Sequence, residues 1–228
     1  LALPVALLAS GMVLYACVQQ SGAPAPIPES LQVFKQKYPE AASFVDNYPR
    51  ARNAHPSMDV SGEVTKGVVP LFIQWDERWG YAPYGSGFIG TSGCGPTCLS
   101  MAAVYLTKNA AYSPLFVARL AEKNGYCVPG NGSSWTLISE GSALLGLSAV
   151  ELPLWEQSMK NALDSGAVII LALGPGDFTS SGHFVVITGY DSCGFTVNDP
   201  NSPDNSAKHW TYDRLSPQIS NLWFLEAL

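Results

Sequence analysis

The stretch Gly93-Cys94-Gly95-Pro96-Thr97-Cys98-Leu99-Ser100-Met101 sets a cysteine at the mouth of a helix. From Pro96 to Leu106 the chain is apolar at helical spacing, with Leu99, Met101, Ala102, Tyr105 and Leu106 expected to face inward. Proline suits the first turn, where its missing N–H has no partner to lose. Cys94 therefore falls at or just before that turn, where unpaired N–H groups and the positive end of the helix dipole favour a thiolate. Gly93 and Gly95 allow the backbone to bend sharply and a substrate carbonyl to come close. A cysteine so placed is a candidate nucleophile. The plain alternative is a small buried residue in a tight turn.

A thiol nucleophile needs a base, and the base needs an orienting group. The chain has three histidines. His55 lies in the polar run Arg52-Asn53-Ala54-His55-Pro56-Ser57 and reads as solvated; His209, in Lys208-His209-Trp210, reads as a surface residue and a second candidate. His183 opens Gly182-His183-Phe184-Val185-Val186-Ile187-Thr188-Gly189-Tyr190, whose two faces are both largely apolar, the mark of a strand buried on both sides. At the first position of such a strand a histidine holds its ring at the rim of a cleft. A satisfied structural histidine is the alternative.

The strand turns through Asp191-Ser192-Cys193-Gly194 and returns as Phe195-Thr196-Val197-Asn198-Asp199-Pro200, bringing both Asn198 and Asp199 near His183. A three-residue loop, 191 to 193, with Gly194 in a bulge at positive φ, turns Asp199 toward the histidine. A two-residue loop, 192 and 193, presents Asn198 instead. Gly194 suits the first form, which selects Asp199, while an ordinary strand-ending Asn-Asp-Pro turn stays open. For the oxyanion of an acyl transfer, the Cys94 N–H is one donor. Gln74 follows the strand-like run Val69-Pro70-Leu71-Phe72-Ile73 and is a second candidate, or else simply an exposed glutamine.

With these residues in place, the chain resembles the papain-like cysteine peptidases, in particular the C39-like group related to the bacteriocin-processing peptidases. The matching pieces run in order: Ile73-Gln74-Trp75-Asp76-Glu77-Arg78-Trp79-Gly80, Thr91 to Met101, Gly182-His183-Phe184-Val185-Val186 and Val197-Asn198-Asp199-Pro200. The resemblance spans residues 68 to 228. It implies an α+β papain-like fold, with the nucleophile at a helix N-terminus packed on an antiparallel sheet that carries the His and Asp. It further implies Cys94 as nucleophile, His183 as base and then acid, Asp199 as orienting group, and Cys98 as the family's non-catalytic cysteine. Two departures stand out. The bacteriocin-processing members carry the oxyanion glutamine six residues before the cysteine, where this chain has Phe88; Gln74 lies twenty residues before Cys94, with Tyr81, Tyr84 and Phe88 between. Those members also precede a transporter.

Composition narrows the partners. With 228 residues, 47% hydrophobic and 13% charged, the chain can bury the core of one domain plus an appendage. A net charge of −6 without a basic patch argues against nucleic acid. No cofactor is implied. A metal is not expected either, since Cys94 and Cys98 have zinc-ligand spacing but no second matching pair. Residues 1–18 carry no charge and read as a membrane anchor or signal segment, which places the body outside the cell, on the membrane face or secreted. Residues 19–67 read as a linker with an amphipathic helix at about 29–48, followed by the peptidase domain. The expected substrate is a peptide or protein, cell-wall stem peptides included. An acyltransferase with the same residues and a non-catalytic peptide-binding module are the rival readings.

Overall fold

The computed structural model describes residues 25–228, so the expected anchor or signal segment, residues 1–18, lies outside the described residues. No helix among the described residues is long and apolar enough to cross a membrane. The single amphipathic helix expected over Glu29 to Tyr48 is two helices, α1 (Glu29–Lys37) and α2 (Ala42–Ala51), joined by the 3-10 turn Pro39–Ala41. Pro39 has no N–H for the ladder, and its ring pushes the preceding residue out of helical space; Tyr38 sits at φ −128°, ψ 82°. The pair packs onto the body through a small core of its own. Phe44 stacks on Tyr81 at 4.3 Å between ring centroids, and the Tyr81 hydroxyl donates to the Phe44 carbonyl at 2.6 Å.

Helix α3 (Cys94–Thr107) is buried without interruption from Gly95 to Val104, and it ends at Lys108 in the left-handed conformation. Next to it runs α4 (Pro114–Lys123), capped by the Ser113 hydroxyl, which accepts from the Phe116 N–H. Beyond it come a single helical turn, Thr136–Ser139, and the 3-10 segment Gly141–Leu145. Farther on, α5 (Glu156–Asp164) buries Met159.

The sheet has six antiparallel strands: β1 (Leu147–Glu151), β2 (Val168–Leu173), β3 (His183–Asp191), β4 (Gly194–Asn198), β5 (His209–Trp210) and β6 (Ile219–Ala227). Their spatial order is β1-β6-β2-β3-β4-β5. Even positions such as Ile170 and Val186 join α3 and α4 in one core; odd positions such as Leu171 and Val185 join Met159 and Trp210 in the other. Each fully buried aliphatic side chain contributes about 2 kcal/mol. Two layers of them hold β2 and β3 rigid, and with them the rim from which His183 projects.

The hairpin of β3 and β4 departs from the expected register. Asp191 pairs with Gly194, so the loop is the two-residue form, Ser192 and Cys193, and not the three-residue form that the glycine suggests. The Asp191 carboxylate accepts from the Cys193 N–H at 2.7 Å and closes this turn. Gly194 is still required, at φ 131°, since a Cβ there would meet the Trp210 carbonyl oxygen at 2.6 Å. A tight turn alone would present Asn198 to the histidine. Instead the ladder slips between Ile187 and Gly189, leaving Thr188 as the extra residue, and pairing resumes with Ile187 opposite Val197 and Val186 opposite Asn198. Asp199 follows level with Val185, on the side from which His183 projects.

The run Val69 to Ile73 is not a strand. Pro70 denies it a ladder donor. Its apolar character comes from Val69 and Phe72, which are buried in the core, while Asn198 Nδ2 donates to the carbonyls of Val69 and Pro70 at 3.3 and 3.0 Å.

Candidate active site

Cys94 begins α3, so its N–H and those of the next residues have no partner within the helix. Gly95 is needed here for close approach: a Cβ would lie 2.7 Å from Ser133 Oγ, on the hairpin Cys127–Val128/Gly132–Ser133 that flanks the cleft. Ser133 is itself held by the Tyr84 hydroxyl at 2.6 Å. The Cys94 side chain is partly exposed. Burial alone would raise its pKa, but the His183 side chain, by hydrogen bond and by charge, together with the backbone of Phe184 and Gly95, holds the thiol below its ordinary range.

His183, 8% exposed, is fixed by β3, and its Nε2 lies 2.7 Å from Asp199 Oδ1. This leaves Nδ1 for the thiol. Burial pushes the imidazole's pKa down, yet the Asp199 carboxylate and Cys94 outweigh it and hold the ring protonated well above the ordinary histidine range. The opposite shifts of thiol and imidazole both favour moving the proton from Cys94 to His183.

Asp199, 1% exposed, is held in turn. Its Oδ1 accepts from the Asn201 N–H at 2.8 Å, its Oδ2 from Asn205 Nδ2 at 3.0 Å, and its own N–H donates to Ser206 Oγ at 2.9 Å. Neither Asn201 nor Asn205 stands out as a site residue in the sequence. The only signal is the run Asn198-Asp199-Pro200-Asn201-Ser202-Pro203-Asp204-Asn205-Ser206, dense in residues that bond their own backbone.

Gln74 lines the same cavity as Cys94 and His183, a cleft of about 580 Å³. It is 3% exposed, its N–H donates to the Pro200 carbonyl at 2.7 Å, and its Nε2 donates to the Gly90 carbonyl at 2.9 Å. The Gly90 carbonyl orients the amide and leaves the second Nε2 proton uncommitted among the described residues. The buried Oε1 has no partner among the described residues.

The remaining candidates fall elsewhere. His55 is exposed, and His209 pairs with Asp191 at 3.0 Å on the surface. Cys98, fully buried one turn beyond Cys94, has its pKa raised well above the ordinary thiol value by burial and by the charges of Cys94 and Asp199. Cys94, Cys98, Cys127 and Cys193 are all free thiols, and no group of His, Cys, Asp and Glu among the described residues is arranged to hold a metal. Of the aromatic residues near these motifs, Trp79, Tyr81 and Tyr84 are core, whereas Trp135 lines the cleft and is 48% exposed.

A helix-borne cysteine facing a strand-borne histidine, in an α+β architecture with an antiparallel sheet, is the papain-like arrangement. A family model described as the Peptidase_C39 like family matches residues 67–223, and the chain belongs to that family. Among solved structures it is similar to the peptidase domain of Streptococcus ComA, a bi-functional ABC transporter involved in a quorum sensing pathway. The two share 20% identity with a TM-score of 0.48, over 60% of this chain and 93% of that one. A protein from Bacillus anthracis described as a C39-like peptidase shares 16% identity with a TM-score of 0.48, over 75% of this chain and 97% of that one. A search of curated proteins returns no match.

Proposed function

We propose that this protein hydrolyses peptide bonds with Cys94 as nucleophile, His183 as general acid and base, and Asp199 orienting the imidazole. One observation carries the reading: the thiol that begins α3 is depressed by a histidine whose Nε2 is held 2.7 Å from a buried carboxylate. His183 already holds the proton that Cys94 has lost. The thiolate attacks the scissile carbonyl carbon, and the oxyanion that forms is met by the Cys94 N–H and the second proton of Gln74 Nε2. As the C=O re-forms, the C–N bond breaks and His183 Nδ1 protonates the leaving amine. Water then gives a proton to His183 and adds to the thioester; the C–S bond breaks, releasing the acid and restoring the ion pair. The charge-free stretch of residues 1–18 supports an exported or surface-anchored enzyme.

The test is the pH-dependent alkylation rate of each cysteine, mapped by mass spectrometry, alongside hydrolysis of a fluorogenic peptide library. Cys94 is expected to react fastest at neutral and mildly acidic pH, to lose that advantage in His183→Ala, and to be required for every cleavage. Labelling of Cys94 as slow as that of buried Cys98, or cleavage that survives Cys94→Ser, overturns the proposal.

A further inference from the structure

One wall of the cleft comes from outside the residues that the family model matches. Ser30, Val33 and Lys37 of α1, spaced three and four residues apart, form a stripe along the same cavity as Cys94 and His183. This wall is built into the body. Phe44 of the next helix is stacked on Tyr81, and the Glu40 carboxylate, on the turn between α1 and α2, accepts from Ser202 Oγ at 2.6 Å and from the Asp204 N–H at 3.0 Å. The α1 stripe is therefore held relative to the loop that carries Asp199.

The chemistry of the lining is lopsided. Apart from the Cys94–His183 pair, Lys37 is its one side chain with a formal charge, and Lys37 forms no salt bridge among the described residues. The neighbouring Lys35 is paired with Asp46 at 2.6 Å, and the whole chain carries −6. Val33 and Trp135, 56% and 48% exposed, bring apolar area to the same cavity. Lys37 is exposed, with its ammonium 5.2 Å from the Tyr38 ring centroid, so it is free to meet an incoming carboxylate at the edge of the cleft.

We propose that α1 supplies a substrate subsite selective for peptides that bear a carboxylate, bound by the Lys37 ammonium. The carboxylate is either an acidic side chain or the free C-terminus of the peptide. The inference deepens the peptidase reading, and its binding part is measured independently of turnover.

Two readouts separate them. The first is kcat/KM of the wild-type full chain on fluorogenic peptides that carry Glu, Gln or Lys at each position in turn, with the C-terminus as acid or amide. The second is the affinity of the same peptides, fluorescein-labelled, for the Cys94→Ala protein by anisotropy. Glu is expected to exceed Gln by at least threefold at one position if the source is a side chain; acid exceeds amide by the same margin if it is the C-terminus. In Lys37→Glu the preference reverses toward Lys, in Lys37→Arg it persists, and 1 M salt erases it. Cleavage without any preference for a carboxylate, or a preference that Lys37→Glu leaves unchanged, overturns the subsite while the peptidase reading stands. Carboxylate-dependent binding that responds to Lys37 without any cleavage leaves the subsite standing and overturns the peptidase reading. Neither binding nor cleavage overturns both.

Discussion

Glu40 and Ser202 meet across the boundary between the N-terminal helices and the loop that carries Asp199, with Ser202 Oγ donating to Glu40 Oε1 at 2.6 Å. The Ser202 hydroxyl also caps the short helical turn Pro203–Ser206 by accepting from the Asn205 N–H at 3.0 Å. Asn205 in turn donates to Asp199 Oδ2. A residue outside the matched peptidase region thus bears on the carboxylate that holds His183. Glu40→Ala is expected to lower kcat by about threefold to tenfold, the effect of losing one part-buried and one exposed hydrogen bond on the placement of a catalytic group. Glu40→Gln, which keeps an acceptor for Ser202, is expected to recover most of it. Unchanged kcat in Glu40→Ala would show that the Asp199 loop holds its shape without this tether.

The pH profile of hydrolysis follows from the two opposed shifts. The proposed mechanism needs the thiolate and the imidazolium together. Activity rises as pH passes the depressed Cys94 value and falls only as pH passes the raised His183 value, so the opposed shifts widen the bell at both limbs. Asp199→Asn removes the charge that keeps the proton on His183. The alkaline limb then moves toward lower pH, and iodoacetamide labelling of Cys94 at neutral pH slows. An alkaline limb that stays in place would separate Asp199 from the titration of the histidine.

Gln74→Ala tests the amide as an oxyanion donor. Loss of one preorganised donor costs about 10²–10³-fold in kcat with little change in KM. Because Gln74 is also a buried hydrogen-bonding residue, a loss of about 1–2 kcal/mol in stability is expected alongside. Labelling of Cys94 at the wild-type rate then shows an intact nucleophile. A fall in kcat below fivefold would assign the amide a structural role only.

At Gly194 a side chain faces both a positive φ and the Trp210 carbonyl oxygen. Gly194→Ala is expected to destabilise the fold by at least about 1–3 kcal/mol, read as a lowered urea midpoint at constant m-value. A neutral outcome would mean that the β4–β5 edge moves aside without cost.

The local determinants of this protein are legible in its sequence because they act over a few residues. Helix α3 follows from a Gly-Cys-Gly-Pro start and an apolar run, and the place of His183 from a strand apolar on both faces. Tertiary structure decided what depends on residues far apart. Asp199 reaches His183 because the ladder slips at Thr188, not through the longer loop that Gly194 suggests, and register is a property of the paired strands rather than of either one. Gln74 reaches the cleft from an irregular segment tied down by Asn198 and Pro200, and its periodicity imitates a strand only because Val69 and Phe72 are buried. The role of α1 as a wall of that cleft is invisible to sequence patterning. An amphipathic stripe states that a helix must bury one face, and only the folded body determines which surface receives it and what the other face then overlooks.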